Sequence, residues 1–467
     1  PPRSTLFPYT TLFRSINLRY DGSSRFSQSK QWGLFPSASV GWNVAEESFF
    51  NSIKEYVNYL KIRGSYGVLG NQNTSSVYPT YSAMGIGIAN GTYLINNKKP
   101  NIAWAPSMIS ASLTWEKIIS HNYGVDYGIF DNRLSGSFDY YIRYTNDMVG
   151  PSIELPEVLG TAVPLANNTD LKTWGFEFEI GWRDRLKNGL GYGAKFILSD
   201  SQSKILRYSN PTNSLTKYRE GQMLGEIWGY KTIGIAKTQE EMDNHLASLT
   251  EGGQTAIGTN WKAGDIMYAD INNDGKIDWG ENTSDNSGDV SVIGNTTPRY
   301  SFGLNLSMDY KGVDFQAFFQ GVMKREVFQN SYYFWGMEGG RGKWFSTGFN
   351  EHKDYFRDDP DHYLGQNLDS YFARPLFGTV KNQQVQTRYL QDASYIRLKN
   401  LQIGYTLPAV GFLKDSKIRI YVSGENLLTL TDMIKIFDPE TVVGGPWSVG
   451  NVYPLSKVYS FGFNVTL

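Results

Sequence analysis

The sequence contains no cysteine in its 467 residues, which removes disulfide frameworks and thiolate metal sites together. Histidine is nearly as scarce. His121, His245, His352 and His362 stand far apart, and none has metal-ligand spacing such as HExxH. Charge of one sign is missing as well: 44 basic residues meet 45 acidic ones, for a formal net charge of -1. The clustered basic excess of a nucleic-acid partner is therefore lacking. No run of about 18 apolar residues occurs, so no transmembrane helix is expected. No cleavable leader is visible either, and the expectation is that the true N-terminus lies upstream. Catalytic signatures are thin, with no GxSxG elbow. Gly189-Leu-Gly191-Tyr-Gly193-Ala194 has the letters of a dinucleotide fingerprint but opens a strand pattern where that motif must open a helix. Gly339-Gly-Arg-Gly342-Lys343 lacks both the spacing and the Ser/Thr of a phosphate-binding loop. These absences point away from an enzyme and from any organic cofactor.

Aromatics and glycine are what the chain does have. It carries 31 Tyr, 26 Phe, 12 Trp and 48 Gly, with only 19% charged residues, a composition that favours β structure. The alternation agrees. Trp174, Phe176, Phe178, Ile180 and Trp182 interleave with Gly175, Glu177, Glu179, Gly181 and Arg183; Tyr300, Phe302, Leu304, Leu306, Met308 and Tyr310 interleave with Ser301, Gly303, Asn305, Ser307 and Asp309. Successive strand side chains point to opposite faces, so each segment has one apolar and one polar face. The apolar faces run for about ten residues and often end in Tyr or Trp, the pattern of a strand on a tilted bilayer path.

Counting these segments predicts about twelve strands, near 16–26, 33–44, 60–70, 117–130, 134–147, 171–184, 190–206, 298–311, 313–325, 393–407, 416–429 and 455–467. Short turns at Asp131–Arg133, Arg183–Gly189 and Lys311–Val313 alternate with long connections at 71–115, 148–170, 207–297, 326–392 and 430–454; the intermediate links 45–59 and 408–415 fall on the short side. A soluble sandwich has no reason to sort its links in this way. An outer-membrane barrel does, with short periplasmic turns and longer extracellular loops. The last strand, Tyr459, Phe461, Phe463, Val465 and Leu467 against Ser460, Gly462, Asn464 and Thr466, ends inside the pattern. The predicted fold is all-β: an antiparallel transmembrane β-barrel wall in outer-membrane lipid.

Thr5–Ser15 reads TLFPYTTLFRS and resembles the conceptual translation of a sequencing-library adapter. Residues 1–15 are therefore set aside as a non-native segment, and 16–467 are read as the barrel portion.

Two loops carry candidate sites. Asp270-Ile-Asn272-Asn-Asp274-Gly275-Lys276-Ile-Asp278-Trp-Gly-Glu281 satisfies D-x-[DN]-x-[DN]-G-x5-E. Asp270, Asn272, Asp274, the Lys276 carbonyl, Asp278 and Glu281 would then surround a structural Ca²⁺, with Gly275 allowing the sharp turn. The bland alternative is an Asn/Asp/Gly turn without metal. Farther on, Tyr332, Tyr333, Phe334, Trp335, Trp344 and Phe345 gather near Arg341 and Lys343 in the 326–392 connection. Of these, Tyr332, Tyr333, Trp335, Arg341 and Trp344 are the candidate ligand contacts, since aromatic faces beside polar groups suit a sugar ring or a peptide side chain. Packing of loop on loop is the alternative.

An ordered series of stretches carries a resemblance. DGSSRF (21–26), WGLFPSASVGW (32–42), GSYGVLGN (64–71), NRLSGSFDYY (132–141), GFE (175–177), GDIMYADINNDGKID (264–278), IGNTTP (293–298), YIRLKNLQIGYTLP (395–408), IRIYVSGENLLTL (418–430) and the segment 453–467 together resemble the SusC-like TonB-dependent outer-membrane transporters of the Bacteroidota. That resemblance implies a roughly 22-stranded plugged barrel, a SusD-like surface lipoprotein as lid, and energy from TonB–ExbB–ExbD acting through an N-terminal plug. It also implies oligosaccharide or peptide cargo. The plug and about ten strands of such a barrel are missing from this sequence, and about twelve strands cannot close a barrel built for 22. A passive porin or fatty-acid channel, and a surface carbohydrate-binding β protein, are the alternative functions.

Overall fold

The computed structural model describes residues 11–466, apart from 73, 75–76, 89–93, 105, 107, 111, 153–157, 159–162, 337–347, 409–416 and 443–452. Its strands run β1 Leu12–Gly22, β2 Trp32–Asn43, β3 Val57–Asn71, β4 Ile86–Ile88, β5 Asn101–Ala103, β6 Glu116–Ile129, β7 Leu134–Pro151, β8 Leu165–Arg185, β9 Gly191–Arg207 and β10 Glu226–Tyr230. They continue with β11 Thr232–Ile235, β12 Ile266–Tyr268, β13 Val290–Asn295, β14 Arg299–Tyr310, β15 Val313–Lys324, β16 Glu326–Val327, β17 Gln391–Asp392, β18 Tyr395–Thr406, β19 Lys417–Leu430 and β20 Val458–Thr466. The α-helices are α1, Gln239–Ser248, and α2, Tyr332–Trp335.

Twelve strands form one antiparallel sheet in the order β1-β2-β3-β6-β7-β8-β9-β14-β15-β18-β19-β20. These are the twelve segments anticipated from alternation, with ends shifted by a few residues. Leu12–Ser15, from the stretch set aside above, pair with Ser39–Trp42. Leu467 and the link 409–416 lie outside the described residues.

Consecutive antiparallel pairing puts the links 44–56, 130–133, 186–190, 311–312 and 407–416 at one set of strand ends. The links 23–31, 72–115, 152–164, 208–298, 325–394 and 431–457 lie at the other. The sorting by length is not strict: 23–31 is shorter than 44–56 and 407–416 yet lies with the long connections, and 152–164 only equals 44–56. The 23–31 link is held tight because Ser23 N–H donates to the Gln31 carbonyl at 3.0 Å and Phe26 is buried against Trp115, ring centroids 5.5 Å apart. At Lys311-Gly312 both residues have positive φ, 45° and 87°, the signature of the two-residue hairpin turn that matches strand twist.

By contact density the chain divides into two units. The first comprises Pro1–Asp131, Ser137–Phe176 and Gln202–Met223; the second comprises Asn132–Gly136, Glu177–Ser201 and Leu224–Leu467. In the first, Phe26, Phe35, Val68, Leu113 and Trp115 make a buried cluster. Arg63 of β3 bridges two carboxylates, Asp126 of β6 and Asp139 of β7.

The second unit shows why the sheet suits lipid. Leu304 of β14 lies opposite Phe196 of β9 and Phe319 of β15; Leu306 lies opposite Ala194 and Ala317; Met308 lies opposite Tyr192 and Phe315. The register carries on through Phe315↔Ile403, Ile403↔Val422 and Val422↔Phe461. One face is therefore a continuous apolar belt. The other face is polar: Gln316 pairs with Gln402 and that in turn with Ser423, while Arg419 bridges Asp314 and the Gln402 amide oxygen. Gly404 makes room for this pair, because a Cβ there would lie 2.5 Å from the Arg419 guanidinium. Ile403 is 46% and Phe461 72% exposed. An exposed apolar belt of this extent on a water-facing sheet would aggregate, whereas in lipid it is the expected surface.

Candidate functional site

The long connections 208–298 and 325–394 are not extended loops. In the second unit they fold together through small two-stranded sheets, β10 with β13, β11 with β12 and β16 with β17. Helix α1 is capped by Thr238, whose hydroxyl accepts the Glu241 N–H at 3.1 Å. The Glu241 carboxylate accepts the Lys237 N–H at 2.6 Å in return. This closely resembles a capping box, with the reach-back falling one residue before the cap.

The two connections are tied together at Asp265, which is fully buried. Arg374 donates Nε and Nη2 to it at 2.7 and 2.8 Å, Lys381 approaches at 2.8 Å, and Asn382 Nδ2 donates at 2.9 Å. Burial pushes the Asp265 carboxyl upward. The hydrogen bonds from Arg374, Lys381, Asn382 and the Lys262 N–H outweigh it and hold the group below the usual carboxylate range. Burial pulls Lys381 downward, against Asp265. Its Nζ nonetheless donates to the Thr259 and Asn260 carbonyls, at 3.0 and 2.8 Å, as well as meeting Asp265. Three donors at once require an ammonium, so the pair is ionised. Trp261 lies under the same Nζ, 4.4 Å from its ring centroid.

Beside this hub is an aromatic cluster. Trp335 packs against Tyr389, centroids 4.7 Å apart at 81°, and against Phe334 at 4.8 Å and 84°. Phe372 lies 6.0 Å from Tyr389 at 18°. Tyr389 is fully buried, and its hydroxyl accepts the Ala373 N–H at 2.8 Å. A cavity of about 200 Å³ opens against Trp335, His352, Tyr355, Phe372, Arg374 and Tyr389.

Among the candidate ligand contacts, Trp335 therefore lines a cavity. Tyr333 is half-buried and packs near Phe349, centroids 6.4 Å apart. Tyr332 opens α2, while Arg341 and Trp344 lie outside the described residues. Phe334, from the same sequence cluster, is core: it is fully buried.

The 270–281 loop is formed in its first half. Asp270 accepts the Asp274 and Gly275 N–H groups at 3.3 and 2.9 Å, Asn272 Oδ1 accepts the Asp274 N–H at 3.1 Å, and Gly275 has φ 78°. The second half departs from the expected cage. Lys276 Nζ sits 2.8 Å from Asp278, and Glu281 is exposed, with its N–H donated to the Asn286 carbonyl. Among the described residues no three Asp, Glu or His groups gather as a metal-holding set. The buried carboxylate here is Asp289, which accepts the Ile271 and Asp278 N–H groups at 2.8 and 2.9 Å. Burial, reinforced by Asp270 and Asp274, raises its pKa despite those bonds.

The family described as TonB dependent receptor-like, beta-barrel, matches residues 7–427. The chain belongs to that family. TonB-dependent receptor P3 of Formosa agariphila is 30% identical over 433 residues, covering 90% of this chain and 39% of that protein. TonB-dependent receptor SusC of Bacteroides thetaiotaomicron is 23% identical, covering 97% and 42%. The RagAB peptide transporter superposes with a TM-score of 0.72 at 23% identity, covering 97% of this chain and 45% of that one, a likeness of fold. The chain thus spans about two fifths of the length of these curated relatives. It is a wall segment of a TonB-dependent receptor barrel in the outer membrane, with an antiparallel all-β fold.

In this receptor segment, sequence reasoning missed Asp265, Lys381, Tyr389 and Asp289. Asp265 stood in plain view inside the GDIMYAD stretch, but nothing local announces a partner more than a hundred residues away. The start of α1 also went unread, although Thr238-x-x-Glu241 is the capping-box pattern that could have signalled it.

Proposed function

We propose that this segment forms part of the wall of an active outer-membrane importer that takes up an oligosaccharide or a peptide. The observation that carries the reading is the register-matched apolar belt backed by a polar face, with the folded connections all at one set of strand ends. Lipid wets the belt, the polar face lines the substrate path, and the folded connections are the surface a substrate meets first. TonB–ExbB–ExbD energises the parent receptor through a plug, and a SusD-like surface lipoprotein is its partner. Support comes from the family assignment and from relatives more than twice as long as this chain. The RagAB likeness, described for a peptide transporter, favours the peptide branch. No catalytic role is assigned to any residue.

The test is uptake of labelled peptides and oligosaccharides by cells carrying the full-length receptor, with and without TonB. Uptake of one substrate class that vanishes without TonB supports the reading. Uptake that persists unchanged would make the parent a passive channel.

A second proposal concerns Ca²⁺ in the 270–281 loop. Its support is the preformed turn around Asp270, whose carboxylate accepts the Asp274 and Gly275 N–H groups. The Lys276–Asp278 pair and the outward Glu281 oppose a full cage, so weak binding is expected. Asp270→Ala with Glu281→Ala should loosen the connection without unfolding the barrel. Equal protease sensitivity of the unmutated loop with and without Ca²⁺ counts against the ion.

A further inference from the structure

The cavity against Trp335 has a chemistry that narrows what can enter it. Three of its walls are rings held rigidly against each other: Trp335, Phe372 and Tyr389. Among the described residues, the polar side chains along the wall are already engaged with the protein. Asn382 donates to Asp265 and accepts the Ile266 N–H. Arg374 binds Asp265 and the Asn260 carbonyl. His352 accepts the Phe349 N–H at Nδ1, which makes Nε2 the donor to the Phe334 carbonyl. The Tyr355 hydroxyl meets His362, Thr379 Oγ1 accepts the Lys381 N–H, and Gln383 has a partner too.

We propose that this cavity is a subsite for a single aromatic ring, carried as a peptide side chain or supplied as a free aromatic compound, and not for a sugar. The inference rests on the importer reading and deepens it. A sugar brings several hydroxyls, each of which needs a partner once it leaves water, and the described side chains of these walls have few left to offer. An aromatic ring needs none, and it packs edge-to-face against rings already fixed in place. Size agrees. An apolar cavity of about 150 Å³ accepts benzene, and one of about 200 Å³ takes a substituted ring. Nη1 of Arg374, which is not used in the bonds to Asp265 and the Asn260 carbonyl, can donate to the one carbonyl that a peptide presents next to its side chain.

The experiment is ¹⁹F NMR on the purified full-length receptor in detergent, with N-acetyl-4-fluoro-L-phenylalaninamide and 4-fluorotoluene as probes. The expected result is saturable broadening of the blocked amino acid, displaced by N-acetyl-L-tyrosinamide and unaffected by maltose or methyl glucoside. Tighter binding of fluorotoluene than of the amide assigns the free-aromatic source. Thr379→Phe should fill the cavity and weaken binding about tenfold or more, with the thermal unfolding of the barrel unchanged. Ala373→Leu serves the same purpose from another wall. Displacement by the sugars, absence of binding, or unchanged affinity in both filled variants overturns the proposal. The importer reading is scored separately in cells: ring binding with TonB-independent uptake counts against import alone, and TonB-dependent uptake without ring binding counts against the subsite alone.

Discussion

The second unit holds two regions built from the same kinds of residue with opposite solvents. On β18 to β20, Ile403, Val422 and Phe461 face outward and are 46%, 51% and 72% exposed. In the connections 208–298 and 325–394, Tyr268, Phe334 and Tyr389 are wholly buried. The belt excludes water by facing lipid; the folded connections must make an interior of their own. This difference explains their electrostatics. A belt needs no ions, whereas the interior of the connections admits a charged carboxylate only because Arg374, Lys381 and Asn382 surround it. Composition alone therefore cannot tell a membrane-facing aromatic from a buried one. Its neighbours in space decide.

The sharpest way to break the comparison is Asp265→Leu. It leaves the buried Lys381 and the half-buried Arg374 without their partner, an expected cost of about 3–5 kcal/mol confined to the connections. Limited trypsinolysis should then cut within 224–298 and 350–394 while the heat-modifiable barrel band persists. The unmutated protein carries the same signature in pH. Because the folded Asp265 pKa lies below its unfolded value, its contribution is present above about pH 4 and is lost as pH falls through the folded value. Protease sensitivity of the connections should therefore rise in acid before the barrel unfolds.

Leu304→Arg probes the other side. A cation in mid-belt costs about 2–4 kcal/mol in lipid. It should lower barrel stability in urea titrations in bilayers and leave trypsin cleavage of the connections unchanged. If the connections loosen as well, the two regions are coupled more tightly than their separate solvents require. The smallest effect is Thr238→Ala, which removes the α1 cap for about 1 kcal/mol. Faster amide exchange confined to 239–248 is the expected readout; exchange spreading to 265–268 would make α1 part of the Asp265 hub.

Much of the sheet was legible in one dimension. Phe302, Leu304, Leu306 and Met308 alternate with polar neighbours, and that period has one structural meaning whatever lies alongside. The connections were legible only in pieces. Thr238 and Glu241 signal a helix start within four residues, and Asp270 to Gly275 signal a turn within six. The aromatic run at 332–335 divided its roles unforeseeably: Phe334 is core, and its neighbour Trp335 lines a cavity. Glu281 met the spacing for a twelfth-position ligand but turned outward, while Asp289, outside the motif, took the buried place.

The sequence by itself determined the strands, their faces and their order, because a period of two and short turns are local properties that lipid reads directly. Only the tertiary structure decided that Asp265 meets Arg374 and Lys381, that Asp289 is buried while Glu281 is exposed, and that Trp335, Phe372 and Tyr389 line a cavity. Those contacts join residues far apart in the chain, and the free energy that selects them comes from burying charge and rings together, which no local pattern records.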